Sequence, residues 1–256
     1  MLAVVYLIFN EGYGGKADLS AEALRLGLAL AELMPDEPEV HGLLAMMLLH
    51  DSRREARFDA AGEIVLLADQ DRGRWHAAKI ERGRQALDRA LALRGSGPYV
   101  IQAAIASLHA DTTPDWPQIA ALYGELSRLT DSPVVELSRA VAVAEADGPE
   151  AGLAIIAALD LDRYHYLHST RAELLKRLER PDEARAAYAT ALTLVHDEAE
   201  RRLLERKLAE LEREPQPLGR PEVHPDGEQL PRASVVGGGR HHEAAEHGRQ
   251  VARPDV

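Results

Sequence analysis

Apolar residues recur three and four positions apart along most of the chain, the spacing of one buried face of an α-helix. The pattern predicts helices over Ser20–Met34, with Ala23, Leu24, Gly27, Leu30 and Leu33 on one face, and then over Glu39–Leu49, Trp75–Leu93, Tyr99–His109 and Pro117–Leu129. It continues through Val134–Ala146, Pro149–Leu159, Tyr164–Leu178, Asp182–Leu194 and Asp197–Glu212. The opening Met1–Phe9 is apolar almost throughout and reads as a buried helix. Asn10 and Glu11 stop it far short of the ~20 residues a membrane span needs, and no basic residue precedes it as in a signal peptide. The breaks carry helix punctuation: Pro35-Asp36-Glu37-Pro38, Gly95-Ser96-Gly97-Pro98, Asp147-Gly148-Pro149 and Arg180-Pro181-Asp182. One stretch departs from this period. Gly62 followed by Ile64, Val65, Leu66 and Leu67 predicts a short β-hairpin between Phe58 and Leu67.

Short helices joined in pairs prompt a search for repeats. Ala184, Tyr188 and Ala191 stand four and three apart, with Ala172, Leu175 and Leu178 on the preceding helix. A small residue there lets two helices approach and a Tyr fills the space between units, which is the tetratricopeptide pattern. Ala23, Gly27, Leu30 and Pro35 repeat it near the start, followed by Ala45 and Leu48; Ile119, Tyr123 and Leu126, and then Ala151, Ile155 and Ala158, repeat it more weakly. Successive units beginning at 119, 151 and 184 lie close to the ~34-residue period of that repeat. The expected fold is therefore all-α: a tetratricopeptide-like solenoid of helical hairpins over residues 1–214, with one short β-hairpin insertion.

From Pro215 to Val256 the character changes. These residues include six Pro, six Gly and no aromatic residue, and carry five Arg against six acids. Such a segment buries too little apolar surface to offset its ordering entropy, so 215–256 is expected to be a disordered tail. Its His224, His241, His242 and His247 sit in a Gly/Pro tract, where His pairs more often do nothing than hold a metal. The full chain of 256 residues has 30 Lys plus Arg against 42 Asp plus Glu, a formal charge of −12. Nearly all of that charge lies before Pro215, so direct binding to a phosphate backbone is not expected. The absence of Cys removes disulfides and thiolate metal sites, and fits a reducing cytoplasm.

No motif makes a case for catalysis, for a cofactor or for a metal. Gly12-Tyr-Gly-Gly-Lys16 lacks the four-residue interval of a phosphate loop, and Ala17 follows the Lys. His165 and His168 share a helix face without a third ligand converging in sequence, and His242-Glu-Ala-Ala-Glu-His247 is one residue too long for the zinc motif His-Glu-x-x-His. Three clusters remain. Asp69-Gln-Asp71-Arg72-Gly-Arg74-Trp75 places acids, Arg and one of two Trp just before a helix, where an Asp caps the helix and accepts from Arg72 while Trp75 packs down. A docking site is the alternative reading. Asn10-Glu11-Gly12-Tyr13 ends the first helix, with Gly12 suited to a left-handed cap, and Asp147-Gly148-Pro149-Glu150 is a turn with Pro at the first helical position.

In this order the clusters resemble a known family. Val5-Tyr-Leu-Ile-Phe-Asn-Glu-Gly-Tyr13, Pro35-Asp-Glu-Pro-Glu-Val40, Gly42-Leu-Leu-Ala45, Asp69-Gln-Asp-Arg72 with Trp75, Pro98-Tyr99, Ile119-Ala-Ala-Leu-Tyr123 and Ser132-Pro-Val134 look like the C-terminal tetratricopeptide-like extension of extracytoplasmic-function (sigma-24 type) RNA polymerase sigma factors. The resemblance covers residues 2–212. It implies a regulatory, protein-binding domain in bacterial transcription initiation, with Asn10, Glu11, Tyr13, Asp69, Asp71, Arg72, Trp75, Asp147, Gly148, Pro149 and Glu150 as candidate interaction residues. The implied partners are sigma regions two and four or another regulatory protein, with RNA polymerase reached only through a complete sigma factor. In that family regions two and four precede the Tyr-Leu-Ile-Phe-Asn-Glu-Gly-Tyr motif, so against it this chain looks truncated. A stand-alone tetratricopeptide scaffold binding a partner protein, not an enzyme, is the alternative.

Overall fold

A computed structural model describes residues 1–13 and 17–213; the predicted tail 215–256, with its four His residues, lies outside the described residues, as do Gly14, Gly15 and Lys16. The described residues form α1 (Leu2–Tyr13), α2 (Ala17–Leu33), α3 (Pro38–Asp51), α4 (Ala77–Ala92), α5 (Pro98–His109) and α6 (Trp116–Thr130). They continue as α7 (Pro133–Asp147), α8 (Pro149–Ile156), α9 (His165–Arg177), α10 (Pro181–Leu194) and α11 (Glu198–Arg213). The all-helical expectation holds. Five helices, α3, α5, α7, α8 and α10, begin on a proline, whose fixed φ suits the first turn and whose missing N–H has no partner to lose there. α4, α6 and α9 are each followed within two residues by a left-handed residue other than glycine: Arg94 (φ 60°), Asp131 (φ 48°) and Glu179 (φ 56°).

Consecutive helices pack on one another: α1 on α2, α3 on both α4 and α5, α6 on α7, α7 on α8, and α9 on α10. The core is accordingly a chain of clusters and not one centre. Phe9, Leu43, Met46 and Met47 anchor the first, Ile119, Leu126 and Val135 the next, Leu137, Ile156, Leu167 and Leu174 a third, and Ala184, Tyr188, Ala191 and Val195 the last. Gly42 makes the α3–α5 packing possible, because a Cβ there would lie 2.6 Å from the Val100 backbone nitrogen and 2.9 Å from the Tyr99 carbonyl carbon. Ala184, Tyr188 and Ala191 are buried as the spacing predicts. In α8 the buried positions are Gly152 and Ile156, one residue later than the expected Ala151 and Ile155, and the helix stops before Ala158.

One local expectation fails and a second is met only in part. Gly12 does not cap α1, which runs through it to Tyr13; the missing side chain instead makes room for α2, since a Cβ on Gly12 would strike the Ser20 backbone nitrogen and hydroxyl. The segment between α3 and α4 forms no regular strand among the described residues, although Asp59 N–H donates to the Glu63 carbonyl (3.0 Å) and Val65 N–H to the Arg57 carbonyl (2.8 Å) across the predicted turn. It consists of three 3-10 turns, Arg54–Ala56, Leu67–Asp69 and Arg72–Arg74, with a single antiparallel bridge joining Phe58 and Ile64. Asp59 tightens the turn: its Oδ1 accepts from the N–H groups of Ala61 (2.8 Å) and Glu63 (2.9 Å). Gly62 turns the loop at φ 78°.

Candidate functional site

The segment from Asp51 to Trp75 brings Asp69, Asp71, Arg72 and Trp75 of the candidate residues to one corner, between the ends of α3 and α5 and the start of α4. Asp51 is buried and holds two cations, Lys79 Nζ at 2.6 Å and Arg54 Nε at 3.0 Å. Arg53, also buried, sets its Nη2 2.7 Å from His50 Nδ1, so that ring nitrogen offers its lone pair and the imidazole is neutral. Burial first, then the charges of Arg53, Arg57 and the neighbouring His109, hold His50 well below the usual histidine range. His109 is pushed down to about 3 by burial, with Arg53 and Arg72 adding to the effect.

Arg72 and Trp75 pair across this corner. The Arg72 guanidinium lies 4.5 Å from the Trp75 ring centroid, a cation–π contact, and its Nη2 donates to the His109 carbonyl at 3.4 Å. Trp75 is buried among Ala56, Leu67, Ile80 and Ala110. Asp71 caps, but not α4: its Oδ1 accepts from Gly73 N–H at 2.9 Å and closes the 3-10 turn Arg72–Arg74, whereas α4 starts at Ala77 behind His76. The expected bond between Arg72 and an Asp is therefore replaced by the His109 carbonyl, because a turn of three residues aims Arg72 at the end of α5. Asp69 is exposed at the end of its own turn. The side-chain atoms Trp75 Nε1, His109 Nδ1 and Gln70 Oε1 are buried here without a hydrogen-bond partner.

The other candidates sit on other elements. Asn10 is half-buried and Glu11 exposed in the last turn of α1, which Tyr13 ends. Asp147 ends α7 and Gly148 turns the chain at φ 103°, a conformation that favours glycine, before Pro149 opens α8 with Glu150 in its first turn. Beside this turn Arg177 of α9 pairs with Glu145 and donates to the Ala144 carbonyl at 3.2 Å. The two helix His residues do not converge: His168 Nε2 lies 2.8 Å from the Asp162 carbonyl and His165 Nε2 lies 3.3 Å from Glu200 Oε2. Among the described residues no group of three or more His, Asp or Glu is placed to hold a metal ion.

Sequence reasoning missed three polar contacts that join distant parts of the chain. The Glu39 carboxylate bonds the first N–H groups of α5, Glu173 takes both Tyr188 Oη (2.5 Å) and Lys207, and Glu63 reaches α11. Burial by itself would raise the Glu173 carboxyl, but the Lys207 charge and the bonds from Lys207 and Tyr188 outweigh it and hold it below the usual range.

Residues 1–91 match a family described as a family of unknown function (DUF6596), a domain associated with sigma-factor C-terminal regions. The matched part holds α1 to α4 up to Leu91, and with them Asn10–Tyr13 and Asp69–Trp75. An uncharacterized protein of Rhizobium meliloti (strain 1021) is 46% identical over 225 residues, which is 83% of this chain and 53% of that protein. The chain thus spans about half the length of that relative. No solved structure matches the chain. No helix among the described residues is long and apolar enough to cross a membrane.

Proposed function

We propose that this chain is the regulatory extension of a bacterial extracytoplasmic-function sigma factor, a tetratricopeptide-like array that docks on sigma regions two and four in the cytoplasm and tunes transcription initiation. The observation that carries this reading is the outer face of α1. Val5, Tyr6 and Phe9 are buried in the first core cluster, whereas Met1, Val4 and Leu7, three residues apart on the opposite face, are 74%, 58% and 44% exposed. An apolar stripe of this kind seeks a complementary surface. It lies within the motif that resembles the sigma-factor extension and within the residues that match DUF6596. The length of the Rhizobium meliloti relative supports the reading too, since the unmatched part of that protein has room for two further small domains.

In this reading the chain meets RNA polymerase only through a complete sigma factor and makes no direct contact with nucleic acid. The test is calorimetric titration of the chain with the unmatched part of the Rhizobium meliloti relative, and separately with regions two and four of a sigma factor bearing such an extension. Binding at micromolar concentration that falls at least tenfold with Val4→Asp or Leu7→Asp supports the reading. No binding to either would favour the stand-alone scaffold.

A further inference from the structure

Glu63, in the segment between α3 and α4, is held by two arginines of the last helix. Its Oε1 accepts from Arg202 Nε at 2.6 Å, its Oε2 lies 3.5 Å from Arg206 Nη1, and Arg206 Nη2 donates to the Ile64 carbonyl at 3.2 Å. The four neighbouring cations of α11 divide by task. Arg201 donates to the Leu192 and Val195 carbonyls and Lys207 pairs with Glu173, so both tie α11 to α9 and α10. Arg202 and Arg206 hydrogen-bond to the loop, and their side chains remain 42% and 39% exposed. Two guanidinium groups one helical turn apart repel each other unless an anion sits between them. The planar fork of each suits a carboxylate, and Arg206 reads the following carbonyl as well.

Apart from this clasp the segment is held by the polar bonds of its own turn, Asp59 N–H to the Glu63 carbonyl (3.0 Å) and Val65 N–H to the Arg57 carbonyl (2.8 Å), and by Gln70 Nε2 on the Val65 carbonyl (3.2 Å). From Arg57 to Leu66 no residue is buried; the first buried side chains on either side are Ala56 and Leu67. The loop therefore presents its Glu-Ile to α11 as a polar, exchangeable ligand and not as part of a core.

We propose that Arg202 and Arg206 form a docking site for an acidic turn of a partner polypeptide, a carboxylate followed directly by a free backbone carbonyl, and that Glu63-Ile64 is a resident competitor occupying it. The proposal rests on the reading of this chain as a protein-binding domain and adds where an acidic partner segment binds. The tethered loop acts at a high local concentration, so an incoming segment binds weakly until the loop is released.

The probe is a synthetic peptide of residues 57–67 of this chain, with a counterpart carrying Glu63→Gln, titrated into the full chain and into the full chain carrying Glu63→Gln. The peptide should bind the Glu63→Gln chain at least about tenfold more tightly than the unaltered chain, the Gln peptide should bind neither, and Arg202→Ala or Arg206→Ala in the Glu63→Gln chain should abolish the gain. Amide exchange read on the same proteins should accelerate at least about tenfold over residues 58–66 in the Glu63→Gln chain, with α3 and α10 unchanged. Equal peptide binding to both chains, or binding indifferent to the two arginines, would make the clasp a plain structural cross-link and overturn the proposal. If sigma regions fail to bind while the peptide result stands, the functional reading falls and this site remains; if they bind but the peptide result fails, the reverse holds.

Discussion

Glu39 caps a helix that begins 59 residues downstream: its carboxylate accepts from the backbone N–H of Tyr99 at 3.0 Å and of Val100 at 3.3 Å. Gly97, the residue before α5, offers no side-chain cap, so a glutamate from the first turn of α3 supplies the acceptor. Because Gly42 lets the two helices meet at backbone distance, the cap and the close packing depend on each other. Glu39→Ala should therefore cost about 1–2 kcal/mol, as loss of a helix cap does, and Gly42→Ala should cost more, because the atoms it would displace are backbone. Chemical denaturation of both variants measures this; a Glu39→Ala chain as stable as the parent would show that the cap contributes nothing.

Ala184→Leu should overpack the α9–α10 contact and cost roughly 1–3 kcal/mol, since Ala184 is fully buried beside Tyr188. Its neighbour Glu183 pairs with Arg180, the residue before α10, on the exposed surface, so Glu183→Ala should leave stability nearly unchanged. Equal melting-point shifts for the two would contradict the assignment of Ala184 as the close-approach residue.

Stability should fall as the pH drops below 6.5. In the unfolded chain His50 and His109 take up protons near their ordinary value, whereas in the folded chain burial and the surrounding arginines keep both neutral, His109 down to about 3. The unfolded state then holds more protons, so stability is lost as the pH falls below the ordinary histidine value. Thermal midpoints measured from pH 7.5 to 5 should drop, with a shallower slope for His109→Gln. A midpoint that does not move over this range would refute the buried neutral pair.

At the acid end, Glu173 should add a second loss. Its carboxyl is held below the usual 4.5, so its contribution is complete above that value and disappears as the pH falls through the folded one. Glu173→Gln should flatten acid unfolding below pH 4.5 as followed by circular dichroism, at the expense of lower stability at neutral pH.

Duplex DNA should not bind this chain at physiological salt. A formal charge of −12 with no long basic run offers few phosphates a partner. Filter binding at 0.15 M salt that showed submicromolar, salt-sensitive affinity would contradict the proposed division of labour between this chain and the sigma regions.

The helices were legible because their signals are local: Pro38, Pro98, Pro133, Pro149 and Pro181 each mark a first turn, and Ala184, Tyr188 and Ala191 carry the packing spacing in plain sight. Gly12 was misread for the same reason. A glycine after an apolar run looks like a helix stop, and only the approach of Ser20 reveals its other use. In the candidate site the burial of Trp75 was legible, but the partner of Arg72 was not, since the His109 carbonyl is 37 residues away and belongs to no side-chain pattern. Glu39, Glu63 and Glu173 look like ordinary solvated acids in sequence; their partners lie 15 to 143 residues distant and depend on which helix face meets which.

The positions of Trp75 and Trp116 have an optical consequence. These are the two tryptophans of the chain; Trp75 packs on Ala110 beneath the Arg72 guanidinium, and Trp116 meets the His109 ring edge-on with centroids 5.5 Å apart. The entire indole emission of the protein therefore originates on either side of residues 109 and 110. Fluorescence will report the loosening of that one corner and remain dark to events in α8 to α11, so an emission change that precedes the loss of far-ultraviolet ellipticity measures local opening there and not unfolding of the chain.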